Sequence, residues 1–195
     1  MPDEHDLTRR DLLFAAAFVP LAALTATAQT GPLALTPGQM KTLEAFIDRL
    51  IPTDELGPGA VEARAQVYID RVLAGPNANE KMQFLDGLEA VNAYAQRTQG
   101  ASLADLPAEK RDLVLKAIDD NTAEGLPQGR QFFNRARRLT LEGMFGDPYY
   151  GGNRAFAGWD LIRYPGPRPA VDAEMQRIDM TPAPYHHSAW GTQYK

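Results

Sequence analysis

Apolar positions recur every three or four residues over most of this chain. Thr36 stands before Pro37, and Met40, Leu43, Phe46, Ile47, Leu50 and Ile51 then follow at helical spacing until Pro52 stops the run. Thr36 is a natural cap and Pro37 suits the first helical position. A second stripe holds Val61, Ala65, Tyr68, Ile69, Val72 and Leu73 and ends at Gly75-Pro76. A third starts near Asn79 with Met82, Leu85, Leu88, Val91 and Ala95. A fourth opens at Pro107 and offers Leu113, Val114, Ala117 and Ile118. A fifth runs from about Gln128 to Phe145 with Phe132, Phe133, Ala136, Leu139, Leu141 and Met144. No segment alternates at period two for long enough to demand a strand. The pattern predicts an all-α protein, a compact bundle of about five helices joined by short loops.

The character changes after Phe145. Gly146-Asp147-Pro148-Tyr149-Tyr150-Gly151-Gly152-Asn153 is a turn-rich aromatic loop, and Gly158-Trp159-Asp160-Leu161-Ile162-Arg163-Tyr164-Pro165 follows it. Beyond Tyr164 the chain carries Pro165, Pro167, Pro169, Pro182 and Pro184, with only Val171 to Ile178 suited to a short helix. Such a tail is extended, because proline fixes φ and removes donors. Its Met175, Ile178, Met180, Tyr185 and Trp190 are not the composition of a disordered segment. It is expected to lie on its own domain or on a partner. The organisation predicted is 1–28, 29–164 and 165–195.

The first of these segments is an export signal. A polar start ends in Arg9-Arg10, an apolar run follows from Leu12 and Leu13 to Leu24, and Ala26-Thr27-Ala28 offers a small-x-small cleavage site. The run is short of the ~20 apolar residues that span a bilayer. Paired arginines before Asp-Leu-Leu and so mild an apolar run favour the twin-arginine pathway, which exports folded proteins. An ordinary secretory signal or a retained short anchor is the alternative. Export in the folded state suits a cofactor inserted in the cytoplasm. No motif for one occurs here, so the cofactor is expected on a partner that travels with this chain.

Composition narrows the chemistry. The chain has 195 residues, a net charge of −5 and no cysteine. The mild acidity argues against nucleic acid. The missing cysteines exclude disulfides, thiolate metal sites, iron–sulfur clusters, covalent haem and a cysteine nucleophile. Asp119-Asp120 and Asp54-Glu55 are adjacent pairs that diverge on a helix or sit in a loop, and they read as solvated surface. His186 and His187 are neighbours that point apart on an extended strand, and His5 lies in the signal. Ser102 and Ser188 sit in no nucleophile elbow. Gly143, Gly146, Gly151 and Gly152 make neither GxGxxG nor a phosphate loop. No catalytic, cofactor-binding or metal-binding residue is assigned on these grounds. Arg130, Arg137 and Arg138 fall near one face of the fifth helix, as ion pairs with the acidic fourth helix or as a docking edge.

The segment from Asp147 to Pro167 carries the aromatic and arginine side chains enriched at protein interfaces. Asp147, Tyr150, Asn153, Arg154, Trp159, Arg163 and Tyr164 are the candidate partner-facing or loop-shaping residues, with Trp190 in the tail. Asn153 can hold a turn and Trp159 can bury a large ring while its N–H finds an acceptor.

Three stretches resemble a known family. They are TPGQMKTLEAFIDRLIP (36–52), GPGAVEARAQVYIDRVL (57–73) and FFNRARRLTLEGMFGDPYYGGNRAFAGWDLIRYPG (132–166). The last is the most specific, through its GDPYYGGN…GW…YPG spacing. They are similar to the small subunit (subunit 3, or gamma) of the gluconate 2-dehydrogenase and fructose dehydrogenase complexes. The resemblance implies a subunit without a redox cofactor of its own. It implies a large FAD-containing partner of the glucose-methanol-choline type and often a multi-haem cytochrome c subunit. It implies that the small subunit's signal takes both chains through the twin-arginine translocase to the periplasmic face of the inner membrane. The expected role is a non-catalytic subunit of a sugar or sugar-acid dehydrogenase. Two other classes remain open from the residues alone. One is a free-standing metal-dependent enzyme using His186 or His187. The other is a sugar-binding module with Trp159 and the tyrosines as a stacking platform.

Overall fold

The computed structural model describes residues 31–168 and 170–190, so Arg9, Arg10, Leu12, Leu13, Ala26 and Ala28 lie outside the described residues. Residues from Gly31 onward form one compact unit. Six α-helices occur in it: α1 (Pro37–Leu50), α2 (Ala65–Ala74), α3 (Lys81–Gln99), α4 (Ala108–Asp119), α5 (Gly129–Phe145) and the short α6 (Ala157–Leu161). Among the described residues there is no strand. The all-α reading holds, with one turn of helix beyond the five expected.

α1 begins as its sequence predicts. The Thr36 hydroxyl accepts from the Gln39 N–H, and the Gln39 side chain accepts from the Thr36 N–H, so two otherwise orphaned donors are satisfied reciprocally. α5 is central, packing against each of the other five helices. Leu43, Phe46 and Ile47 of α1, Ile69 and Leu73 of α2, Leu88 and Val91 of α3, Ile118 of α4 and Leu139 and Met144 of α5 are fully buried. Phe46 meets Phe132 and Phe133 edge-on, with centroids 5.5 and 5.7 Å apart. Each such pair adds about 1 kcal/mol beyond its buried area.

Several stripe members sit elsewhere than expected. Met82, Leu113 and Leu141 are exposed, while Phe84, Leu115 and Thr140 are buried in their helices instead. Helical spacing gives the period of a stripe but not its angular centre, which α5 decides by packing. Val61 precedes α2 rather than belonging to it. The chain from Ala60 to Arg64 makes turns, and Arg64 takes a left-handed φ of 60° before the helix starts at Ala65. The arginines of α5 do not pair with α4. Arg135 and Arg138 reach Glu80, ahead of α3, at 3.4 and 3.9 Å, and Arg138 also binds Glu142 at 2.7 Å.

One buried acid ties the entry segment down. The Asp70 carboxylate is 4% exposed and accepts from the backbone N–H groups of Leu33, Ala34 and Leu35 at 2.6, 2.8 and 3.0 Å. Asp70→Ala strands all three donors, in part without water. It is expected to lower the unfolding free energy by about 3 kcal/mol, measured by thermal and urea denaturation. Beside it on α2, burial and then the hydrogen bond from its hydroxyl to Glu142 (3.0 Å) push the Tyr68 phenol up to about 12. A phenol raised in the folded state contributes stability that is complete below its ordinary value near 10 and lost as pH rises through about 12. An absorbance titration should show one tyrosine ionising after the others, and that late step should vanish in Tyr68→Phe.

Candidate functional site

The aromatic loop and the tail meet at the C-terminal end of α5. Asp147 opens this region: its Oδ1 accepts from the Tyr149 N–H at 2.9 Å and caps the turn Pro148–Tyr150. Its Oδ2 accepts from the Ala189 N–H at 2.7 Å, so one carboxylate holds both the loop and the returning tail.

Asn153 is fully buried and joins two backbones. Its Nδ2 donates to the Gly146 carbonyl at 2.7 Å, and its Oδ1 accepts from the Gly158 N–H at 2.8 Å. The two backbones press together here. A Cβ at Gly152 would strike the Gly143 carbonyl, and one at Gly158 would strike the Met144 carbonyl. Trp159 lies inside as well, 4% exposed, with its indole N–H donating to the Phe145 carbonyl at 2.9 Å. A buried Trp159 cannot be a sugar-stacking platform, which removes that role from it.

The remaining candidates face outward. Tyr150, Arg154, Arg163, Tyr164 and Trp190 are exposed. Tyr164 stands edge-on to Trp159 (5.0 Å), and Trp190 leans on Tyr149 (5.7 Å), which in turn meets Tyr150 edge-on (5.4 Å). The residues proposed from sequence therefore share one end of the molecule but divide into two sets. Asp147, Asn153 and Trp159 hold the loop; the other five present side chains to solvent.

The backbone that achieves this is strained. Asn153, Ala155, Phe156 and Arg163 have φ of 46°, 53°, 63° and 55°. A left-handed residue costs roughly 1–2 kcal/mol when it is neither Gly nor Asn. Arg163 occupies the place where glycine usually ends a helix. The Tyr164 N–H returns to the Trp159 carbonyl at 2.8 Å and the Arg163 N–H to Asp160 at 3.1 Å.

The tail locks on from above. Tyr185 donates its N–H to the Pro165 carbonyl at 2.7 Å. The His186 ring stacks on Phe156 at 4.7 Å and hydrogen-bonds Asp160 at 2.7 Å. His187 stacks on Tyr185 at 4.1 Å, and its Nδ1 is buried without a partner. The two histidines thus engage different neighbours, and among the described residues no three metal-ligating side chains converge.

Three contributors escaped the sequence reading. Leu56 projects from a two-residue turn closed by Asp54 and Gly57, and it is 77% exposed. Ile162, 55% exposed, follows α6. Phe156 is buried under His186. An apolar residue inside an acidic Pro/Gly loop was the one available signal for Leu56. The burial of Phe156 depends on the returning tail, which no local pattern announces.

A family model described as gluconate 2-dehydrogenase subunit 3 matches residues 37–166, well over half of the chain. No curated protein and no solved structure matches it.

Asn153→Ala removes both side-chain hydrogen bonds and the residue type that tolerates a left-handed φ. It is expected to cost about 3 kcal/mol in urea unfolding. Asn153→Asp keeps the acceptor for Gly158 but faces the Gly146 carbonyl with oxygen, and should also destabilise, by about 2 kcal/mol.

Proposed function

The chain belongs to the gluconate 2-dehydrogenase subunit 3 family, and from that membership we propose that it is the non-catalytic small subunit of an FAD-dependent sugar or sugar-acid dehydrogenase complex. It stabilises the flavin-bearing subunit and supplies the twin-arginine signal that takes both to the periplasm. A cytochrome c subunit completes the electron path to the membrane in this reading.

The observation that carries the proposal is the family match, which runs to Gly166 and so takes in the whole GDPYYGGN…GW…YPG segment. Two features of the chain support it. Arg9-Arg10 heads a signal of the kind used for folded passengers. The matched loop is built with buried hydrogen bonds inward and arginine and aromatic side chains outward, the division expected of a docking element.

The test is a double substitution, Arg9→Lys with Arg10→Lys, in cells that also express the flavin-bearing subunit. Both chains are expected to stay in the cytoplasm, and sugar-dependent dye reduction in the periplasmic fraction should fall to background. A flavin subunit that reaches the periplasm with the altered signal, or with this chain deleted, overturns the shared-export role. Sugar oxidation by the purified chain alone overturns the non-catalytic one.

A further inference from the structure

The outward set at the end of α5 belongs to a wider surface. An open groove of about 570 Å³ runs between the Leu56 loop and the segment 155–163, lined by Leu56, Pro58, Ala155, Leu161 and Arg163. Asp160 lies on the same groove and carries His186, which connects the groove to the tail and to Trp190 on Tyr149. Large apolar side chains stand out along this end. Leu56, Ile162 and Trp190 are 77%, 55% and 62% exposed. Several large apolar side chains exposed around one groove are the composition of an interaction site.

Charge says what it meets. The chain as a whole is acidic at −5. Yet Arg154 and Arg163 are exposed here, and Arg71 lies against Gly151 beside the tyrosines. Among the described residues none of these three guanidinium groups meets a carboxylate. Four carboxylates share this end, and none of them takes up the three arginines. Asp147 is held by two N–H groups and Asp160 by His186, while Asp54, which accepts from the Leu56 N–H, and Glu55 stand exposed in the Leu56 turn itself. Three guanidinium groups without a carboxylate, beside exposed apolar side chains, fit a partner that brings apolar surface and carboxylates to them. The family match is to one subunit of a dehydrogenase complex, which favours a different chain of that complex over a second copy.

The strain gives a second, independent reason. Arg163 sits where glycine would relieve the backbone, and Ala155 and Phe156 are left-handed with no side-chain hydrogen bond to repay them. Strain of this kind persists where a particular presentation is needed. Here it sets the exposed Arg163 on the groove, next to the exposed Ile162.

We propose that the face formed by Leu56, Ile162, Arg154, Arg163 and the Tyr149–Trp190 pair is the docking surface for a different, carboxylate-bearing protein chain, the flavin-bearing subunit. The identity of that occupant rests on the function proposed above. The apolar side chains supply the buried contact, and the arginines supply register and on-rate.

The experiment is co-purification and affinity measurement between the exported chain and the flavin-bearing subunit. Leu56→Asp with Ile162→Asp, and separately Arg154→Glu with Arg163→Glu, are expected to weaken binding by about tenfold or more. Wild-type affinity should fall as salt rises. Arg163→Gly is the decisive variant, because it relaxes the backbone. It should melt at or above the wild-type temperature and still bind more weakly, which separates lost contact from lost fold. Arg130→Glu with Arg137→Glu, exposed on α5, should bind like wild type. If the face variants bind normally while the complex forms, the face is wrong and the subunit role survives. If the wild-type chain does not bind the flavin subunit at all, both fall. If the face variants instead dissolve a homodimer, the occupant is a second copy and the assignment to a different chain is overturned. Loss of binding in the α5 pair alone moves the docking edge to that helix and overturns the proposal as well.

Discussion

The Asn153 side chain sits where two stretches of backbone come too close for anything but glycine between them. Gly152 and Gly158 approach the carbonyls of Gly143 and Met144 at the end of α5, and such contact excludes water. Every buried N–H and C=O there must find a partner in protein. Asn153 satisfies one of each, and the Trp159 indole satisfies a third at Phe145. These bonds fix the loop to the bundle's central helix, and everything further out is placed by them. Trp159 carries Tyr164, Phe156 carries His186, and Asp147 carries Ala189. Without the amide at Asn153 the loop would have no reason to hold its left-handed turns.

The helices were legible because their stripes report burial directly. Thr36, Gln39 and Pro37 announced the start of α1 in full. What the stripes did not report was orientation to within one residue. Met82 and Phe84 lie roughly 200° apart around α3, and Phe84, four residues before Leu88, is the one inside, its ring 5.2 Å from Phe132. Leu141 and Thr140 pose the same choice, settled by a threonine hydroxyl that bonds back to the Ala136 carbonyl and so tolerates burial. The break before α2 was illegible because an arginine takes the left-handed φ there.

At the site, residue types were legible and their sides were not. Asparagine beside glycines, a tryptophan after a glycine and a run of tyrosines pointed to a shaped loop with interface character. Which of them turn inward depends on contacts between residues far apart in sequence. The tail shows this most clearly. Ala189 reaches Asp147 across 42 positions and His186 reaches Asp160 across 26. Neither pairing has a local signature, so the tail read from sequence as extended chain with a choice of what to lie on.

The same long-range closure ties recognition of the outward face to the folded state. That face exists only once α5, the loop and the tail have met. The parts lie at 54–57, 145–164 and 185–190, and none presents that face alone. A partner that recognises the assembled face therefore recognises the folded state. It adds its binding free energy to the fold, because anything that binds only the native form stabilises it. A left-handed arginine and a left-handed phenylalanine are affordable in the free domain because Asn153 and Trp159 anchor the turns on their inner side. The anchor and the presented face are consequently two sides of one loop. A change that weakens the inner hydrogen bonds should be felt as lost docking even where no exposed side chain has been altered.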